Sequence, residues 1–312
     1  DINAPGWDIW VPGIHHTYES GFTQIGYGLS MGTNTSIAAP QVAGVVCLVK
    51  SLYPWMSPPQ VERQIKMGAH NLDELIAANT TFLPNTPPSF FGAGCLNAYS
   101  SLFLHGTFER NFVFSNEANN TALLGRGFTL SNSSMTVANG TLRIEKDANI
   151  LFNSSVLILG DNVTVQFEKG AKLDLCPNSS LVLGNNVTFR TENNDTCLGL
   201  VKFGNNTQSI TFNNTIFINV PIEINNTETA YNGCTFTRSS LLHNNEPLSI
   251  NYCDFEFSGL QAIQTVPDPD DLCWIGNTEV SNSTLAGIQI TGYSKVNIQN
   301  NNIHHNFSGI EL

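Results

Sequence analysis

The chain has 312 residues and is acidic, with 25 Asp and Glu against 13 Lys and Arg, a formal net charge of -12 and only 12% charged residues. So little positive charge argues against nucleic-acid binding, which takes clustered Lys and Arg to neutralise phosphates, and a 41% apolar share argues against a disordered chain. No apolar run approaches the roughly 20 residues of a membrane span; the longest in the first hundred positions lies around VAGVVCLV.

In chain order, the first informative stretch is MGTNTSIAAPQVAG, residues 31–44. Its continuation, SIAAPQVAGVVCLVKSLYP, has Val42, Val45, Val46 and Val49 at helical spacing, Ser and Thr at its start and Pro54 at its end. Ser36 therefore stands at the mouth of a predicted helix, and two readings are open for it: a polar N-cap, or a nucleophile served by the unpaired N–H groups of the helix start. A second helix follows in SPPQVERQIKMGA, with Ser57 as N-cap, Pro58 at the first position, Val61 and Ile65 apolar, and Gly68 at the stop.

Near residue 105 the composition changes: residues 1–105 hold 6 Asn and residues 106–312 hold 32. The second part reads as short strands punctuated by Asn and Gly, such as NVTVQF, NVTFRT, SITF and KVNIQ. The strands recur. Asn162 of DNVTV returns as Asn186 of NNVTF 24 residues later, Phe217, Phe236 and Phe255 lie 19 apart, and Gly287-Ile returns as Gly309-Ile after 22. Periods of about 20 to 25 residues, each with short strands, indicate a solenoid in which successive coils stack. A leucine-rich repeat would need a fixed Leu grid, which is missing.

The seven cysteines (Cys47, Cys95, Cys176, Cys197, Cys234, Cys253, Cys273) form no CxxC pair, so they suggest neither a zinc site nor a secure disulfide framework. They read as buried small hydrophobes, with Cys234 and Cys253, each before a TF or DF pair, stacking in successive repeats. Fifteen Asn-x-Ser/Thr sequons follow from an Asn- and Thr-rich composition and are not read as glycosylation. No cofactor or metal is expected; PDPDD (Pro267–Asp271) offers a structural Ca²⁺ through Asp268, Asp270 and Asp271, but reads better as a solvated acidic loop.

The segment around Ser36 resembles the active-site serine segment of subtilisin-like serine proteases, Gly-Thr-Ser-x-Ala-x-Pro-x-Val-Ala-Gly. Thr35, Ser36, Ala38, Pro40, Val42, Ala43 and Gly44 match; Asn34 stands where Gly is usual, Ile37 where Met is common and Gln41 where His is common. DINAPG (Asp1–Gly6) is similar to the Asp-x-x-Ala-Pro-Gly loop preceding that serine, LYPWMSPPQVERQI to the helix pair after it, and FFGAGCLNAYSSL (Phe90–Leu102) to the close of the domain. The later repeats resemble the right-handed parallel β-helix family over roughly 150–312.

These resemblances imply the C-terminal part of an α/β subtilisin-like domain (a parallel sheet with helices) over 1–105, a linker over 106–118 and an all-β right-handed parallel β-helix over 119–312, in a chain expected to be part of a longer one. They imply a secreted serine endopeptidase acting on protein or peptide substrates. Ser36 would be the nucleophile with its N–H in the oxyanion hole, Asn34 and Thr35 the substrate-cleft neighbours, and Pro40 would lie in the first helical turn. The Asp and His of the triad would come from upstream sequence, because GIHHTYE is unlike the family's His-Gly-Thr segment, so that His15 and His16 read as a surface loop. His304 and His305 read as structural or exposed in a β-helix turn. The β-helix would serve as a stalk or bind a cell-surface or extracellular polysaccharide. Two alternatives stand beside this: a cell-surface adhesin with an inactive protease-like domain, and a polysaccharide-active β-helix, which requires a carboxylate pair at one height on one face.

Overall fold

A computed structural model describes residues 2, 4, 9–19, 22–32, 35–69, 93–114, 120–191, 199–204, 209–265, 270–284 and 286–312, with backbone only for the two strands within 9–32 and for residue 35. The chain divides into two units, Asp1–Leu102 and Phe103–Leu312.

In the first unit, strand β1 (Ile9–Glu19) pairs antiparallel with β2 (Phe22–Gly32), Ile9 opposite Gly32 and Glu19 opposite Phe22. His15 and His16 thus stand in a strand rather than a loop. Pro12, Gly13, Gly26 and Gly28 dilute the β-branched signal there, which hides the ribbon from a propensity reading. Among the described residues three helices follow: α1 (Thr35–Leu52), α2 (Pro58–Met67) and the short α3 (Ala98–Leu102). The expected parallel sheet is not among the described residues. Parallel pairing needs strands joined by crossover connections, and what the described residues supply is one hairpin.

Helix α1 stops before Pro54, and Lys50 Nζ donates to the carbonyls of Pro54 and Met56 at 2.7 and 2.6 Å, satisfying acceptors past its C-terminus. Helix α2 begins with a proline, and the Ser57 N–H donates to Gln60 Oε1 at 2.7 Å, the return half of a capping box. Val45, Val49, Tyr53, Met56, Val61 and Ile65 form the core where the helices meet. Gly68 ends α2 at φ −78°, so its lack of a side chain serves close approach and not a left-handed turn: a Cβ there would lie 2.4 Å from the Ser100 carbonyl oxygen.

The second unit is a parallel β-solenoid whose first strand starts at Thr107. Thr107–Phe108 and Phe112–Phe114 pair with the strands of the next coil, so these parts of the stretch expected as a linker already belong to the stacked sheets. Two- and three-residue strands are too short to show alternation, which is why the boundary is illegible in sequence. The strands fall on three faces: a ten-stranded sheet beginning at Thr107–Phe108, a face made of a four-stranded and a five-stranded sheet beginning at Phe112–Phe114, and a nine-stranded sheet beginning at Thr121–Leu124.

Most strands alternate buried with more exposed residues; in Thr164–Phe167, Val165 and Phe167 are buried while Thr164 and Gln166 are half-exposed. The register stacks like on like. Phe189, Phe217, Phe236 and Phe255 form one inward column, with ring centroids 5.2, 4.9 and 4.2 Å apart. All four are fully buried, and each burial contributes about 2 kcal/mol.

Corners are built from Asn. Most non-glycine residues at positive φ are asparagines, including Asn162 (58°), Asn186 (56°), Asn214 (49°) and Asn282 (58°), because a short polar side chain tolerates the left-handed region. Asparagine amides at and beside these corners bond along the stack: Asn244 Nδ2 donates to Asn225 Oδ1 at 2.8 Å, Asn245 to Asn226 at 3.0 Å and Asn277 to Asn251 at 3.0 Å. After a left-handed corner residue the chain turns a small polar group inward, which bonds the carbonyl two residues back. Ser258 Oγ donates toward the Glu256 carbonyl (3.0 Å) and accepts the Ser239 N–H at 2.8 Å. The buried serines are thus satisfied within the stack.

Candidate active site

Ser36 is the second residue of α1 and its side chain is exposed. Helix starts present N–H groups without intrahelical acceptors, together with the positive end of the dipole. Because α1 begins at Thr35, Pro40 is its sixth residue and lies in the second turn, not the first. In that place the missing N–H is the one that would have bonded the Ser36 carbonyl, so the proline removes a ladder bond from the serine itself. Gln41, where the protease segment commonly has His, turns back along the helix, its Nε2 donating to the Ile37 carbonyl at 3.3 Å. Asn34 lies outside the described residues, and Thr35 begins the helix with its side chain outside them.

Helix α1 is apolar on more faces than its neighbours cover. Leu48 and Leu52 are each 50% exposed, and Ala39, Ala43, Gly44 and Cys47 are exposed too. A cavity of about 410 Å³, lined by Val42, Val46, Val61 and Ile65 among others, runs between α1 and α2. A helix apolar around its circumference is the kind buried inside a larger domain.

Among the side chains described in the first unit, Glu62 is the one carboxylate, and it pairs with Lys66 one turn away. No general base for Ser36 stands among them. His15 and His16 occupy β1, where they pair with Gly26 and Ile25.

In the solenoid, Asp270 lies 3.7 Å from Lys295 Nζ and Asp271 accepts from Gln264 Nε2 at 2.5 Å; Asp268 lies outside the described residues. No group of three His, Cys, Asp or Glu suited to a metal occurs among the described residues. His304 and His305 sit side by side, and His304 Nε2 reaches Glu279 Oε1 at 3.0 Å. The coil register also puts Asp254 and Glu256 at one height on one strand, flanking the buried Phe255, with Glu279 beside Asp254 in the next coil. Burial raises the Asp254 carboxyl, and Glu279 and Glu256 raise it further.

One buried titratable group escapes a sequence reading. His243 is fully buried in the column of Ile224 and Ala262. Its Nε2 faces the Thr227 carbonyl at 3.1 Å, which only accepts, so Nε2 carries the proton; Nδ1 faces Tyr293 Oη at 3.0 Å. Burial pushes its pKa down to about 4, against the pull of the Thr227 carbonyl. The available signal was the alignment of IEIN, LLHN and LQAI, which places His243 at an inward position.

No helix among the described residues is long and apolar enough to cross a membrane. Residues 2–94 match the model of the subtilase family. Similar curated proteins include three from Arabidopsis thaliana. Subtilisin-like protease SBT2.3 is 26% identical over 263 residues, covering 72% of this chain and 30% of that protein. Subtilisin-like protease SBT3.4 is 36% identical over 101 residues, 31% of this chain and 12% of that protein. Subtilisin-like protease SBT3.12 is 37% identical over 101 residues, 31% of this chain and 13% of that protein. The chain therefore spans less than a third of the length of each of these relatives. No solved structure matches. The chain thus joins a segment similar to the subtilase family to a parallel β-solenoid.

Proposed function

We propose that the chain is part of a secreted serine endopeptidase in which Ser36 Oγ attacks the scissile carbonyl, forms an acyl-enzyme and is released by water. The observation that carries this is an exposed serine in the first turn of an apolar helix, within a segment similar to subtilases. In this reading the Ser36 N–H and the helix dipole stabilise the oxyanion, Asn34 and Thr35 border the substrate, and a His held by an Asp removes the Ser36 proton. Those two residues come from sequence outside these 312 residues, so the isolated chain is expected to have no peptidase activity. The solenoid acts as a stalk or holds a cell-surface or extracellular polysaccharide.

The test is labelling of the full-length protein by a fluorophosphonate probe. Modification at Ser36, abolished in Ser36→Ala, supports the reading; no labelling while a control subtilisin is labelled overturns it and favours the adhesin. A second reading, a polysaccharide-active solenoid, draws on Asp254 and Glu256 at one height. It predicts release of reducing sugar that persists in Ser36→Ala and is lost in Glu256→Gln.

A further inference from the structure

We propose that Cys234 and Cys253 are a disulfide-forming pair that closes a covalent cross-link between successive coils of the solenoid. The two residues precede Thr235 and Asp254, which are register partners, so their backbones stack directly. The Asp254 N–H donates to the Cys234 carbonyl at 2.9 Å and holds the rungs together at that point. Adjacent strands stand about 4.8 Å apart, inside the Cα separation of about 4.4 to 6.8 Å that a disulfide spans. Both side chains point inward, 1% and 3% exposed.

The column they belong to shows what the position requires without sulfur. Thr215 lies one coil before Cys234 and Thr278 one coil after Cys253, each at the same inward corner. Thr278 Oγ1 donates to the Gly276 carbonyl at 2.9 Å, two residues back; Cys253 Sγ faces the equivalent Asn251 carbonyl at 3.4 Å and Cys234 Sγ faces that of Asn232 at 3.7 Å. A thiol is the weaker donor, so hydroxyls already do what the corner needs, and two consecutive sulfurs add the capacity to be oxidised together. Losing both S–H groups leaves the Asn232 and Asn251 carbonyls paired, because they also accept the N–H groups of Asn214 and Gly233 at 2.8 and 3.0 Å. Cys273 is buried in a different column, between Leu248 and Val296, and has no stacked sulfur. Both proposed partners are free thiols in this structure.

The oxidant is a small-molecule disulfide of the glutathione type. The Cys253 thiolate attacks one glutathione sulfur and expels the other as thiolate; the Cys234 sulfur then attacks the mixed disulfide at Cys253 and expels the second glutathione. One S–S bond forms, one breaks, and the two protons leave on two glutathione thiols. Because both sulfurs are buried, exchange takes place as the coils close during folding.

The test uses the full chain, refolded in a glutathione redox buffer or in dithiothreitol, alkylated, and digested without reduction. Cleavage after Arg238 separates Cys234 from Cys253, and cleavage before Asp254 separates Cys253 from Cys273. A Cys234–Cys253 cross-linked peptide two hydrogens lighter than its reduced parts is expected, with Cys273 recovered as a thiol and a thermal midpoint several degrees above the reduced form. Cys234→Thr, which repeats the Thr215 of the same column, should keep the circular dichroism of the reduced protein and lose both the cross-link and the shift. Recovery of both cysteines as alkylatable thiols from the oxidising refold overturns the proposal, as does linkage of either one to another cysteine.

Discussion

Phe236 and Phe255 stack 4.2 Å apart and 3° from parallel, although nineteen residues separate them in the chain. The 19-residue interval is one circuit of the solenoid, so a phenylalanine at a fixed phase lands on its predecessor. Phe236 also stacks on Phe217 below it, at 4.9 Å.

Truncation in the middle of this column leaves a void that both neighbours face. Phe236→Ala should therefore cost about 3–5 kcal/mol and Phe236→Leu clearly less, read as midpoints of urea unfolding followed by circular dichroism. Equal costs for the two would mean that the ring stacking lost in both outweighs the volume that Leu still fills.

The depressed pKa of His243 makes the solenoid acid-sensitive. The folded state resists protonation down to about pH 4, whereas the unfolded state takes up a proton near 6.5. Between those values the unfolded form binds more protons, so stability falls as pH drops from about 6.5 to 4, by on the order of 3 kcal/mol, and flattens below. Unfolding free energies at pH 7 and 4.5 should differ by less in His243→Gln than in the wild type.

Two glycines separate backbone strain from steric conflict. Gly140 has φ +88°, and an added Cβ would fall 2.1 Å from the Asn120 carbonyl oxygen; Gly106 has φ +96° with nothing within 4 Å. Gly106→Ala should cost about 1–2 kcal/mol, for conformation alone, and Gly140→Ala more than about 3 kcal/mol, since backbone must also move. Denaturant melts of the two variants check the order.

Ser36→Ala should be nearly silent in stability, within about 1 kcal/mol, because the side chain is exposed and at most contributes as a cap. The same change should abolish fluorophosphonate labelling of the full-length protein. A large loss of stability would instead mark Ser36 as a structural cap.

Local chemistry determined a good deal by itself. The phase of Val42, Val45, Val46 and Val49 marks α1, Ser57 with Pro58 marks the start of α2, and the Phe and Asn intervals mark stacked coils, because a period and a cap are properties of neighbouring residues. The order of residues around Ser36 likewise carries the resemblance to the protease segment. What tertiary structure decided is whatever depends on chain brought from elsewhere. It joined β1 to β2 despite their glycines, and started the solenoid at Thr107, where strands are too short to alternate. It also turned His243 inward beside Tyr293, 50 residues on. The solenoid features depend on which strand lies in the next coil, and a coil closes through the packing of whole rungs.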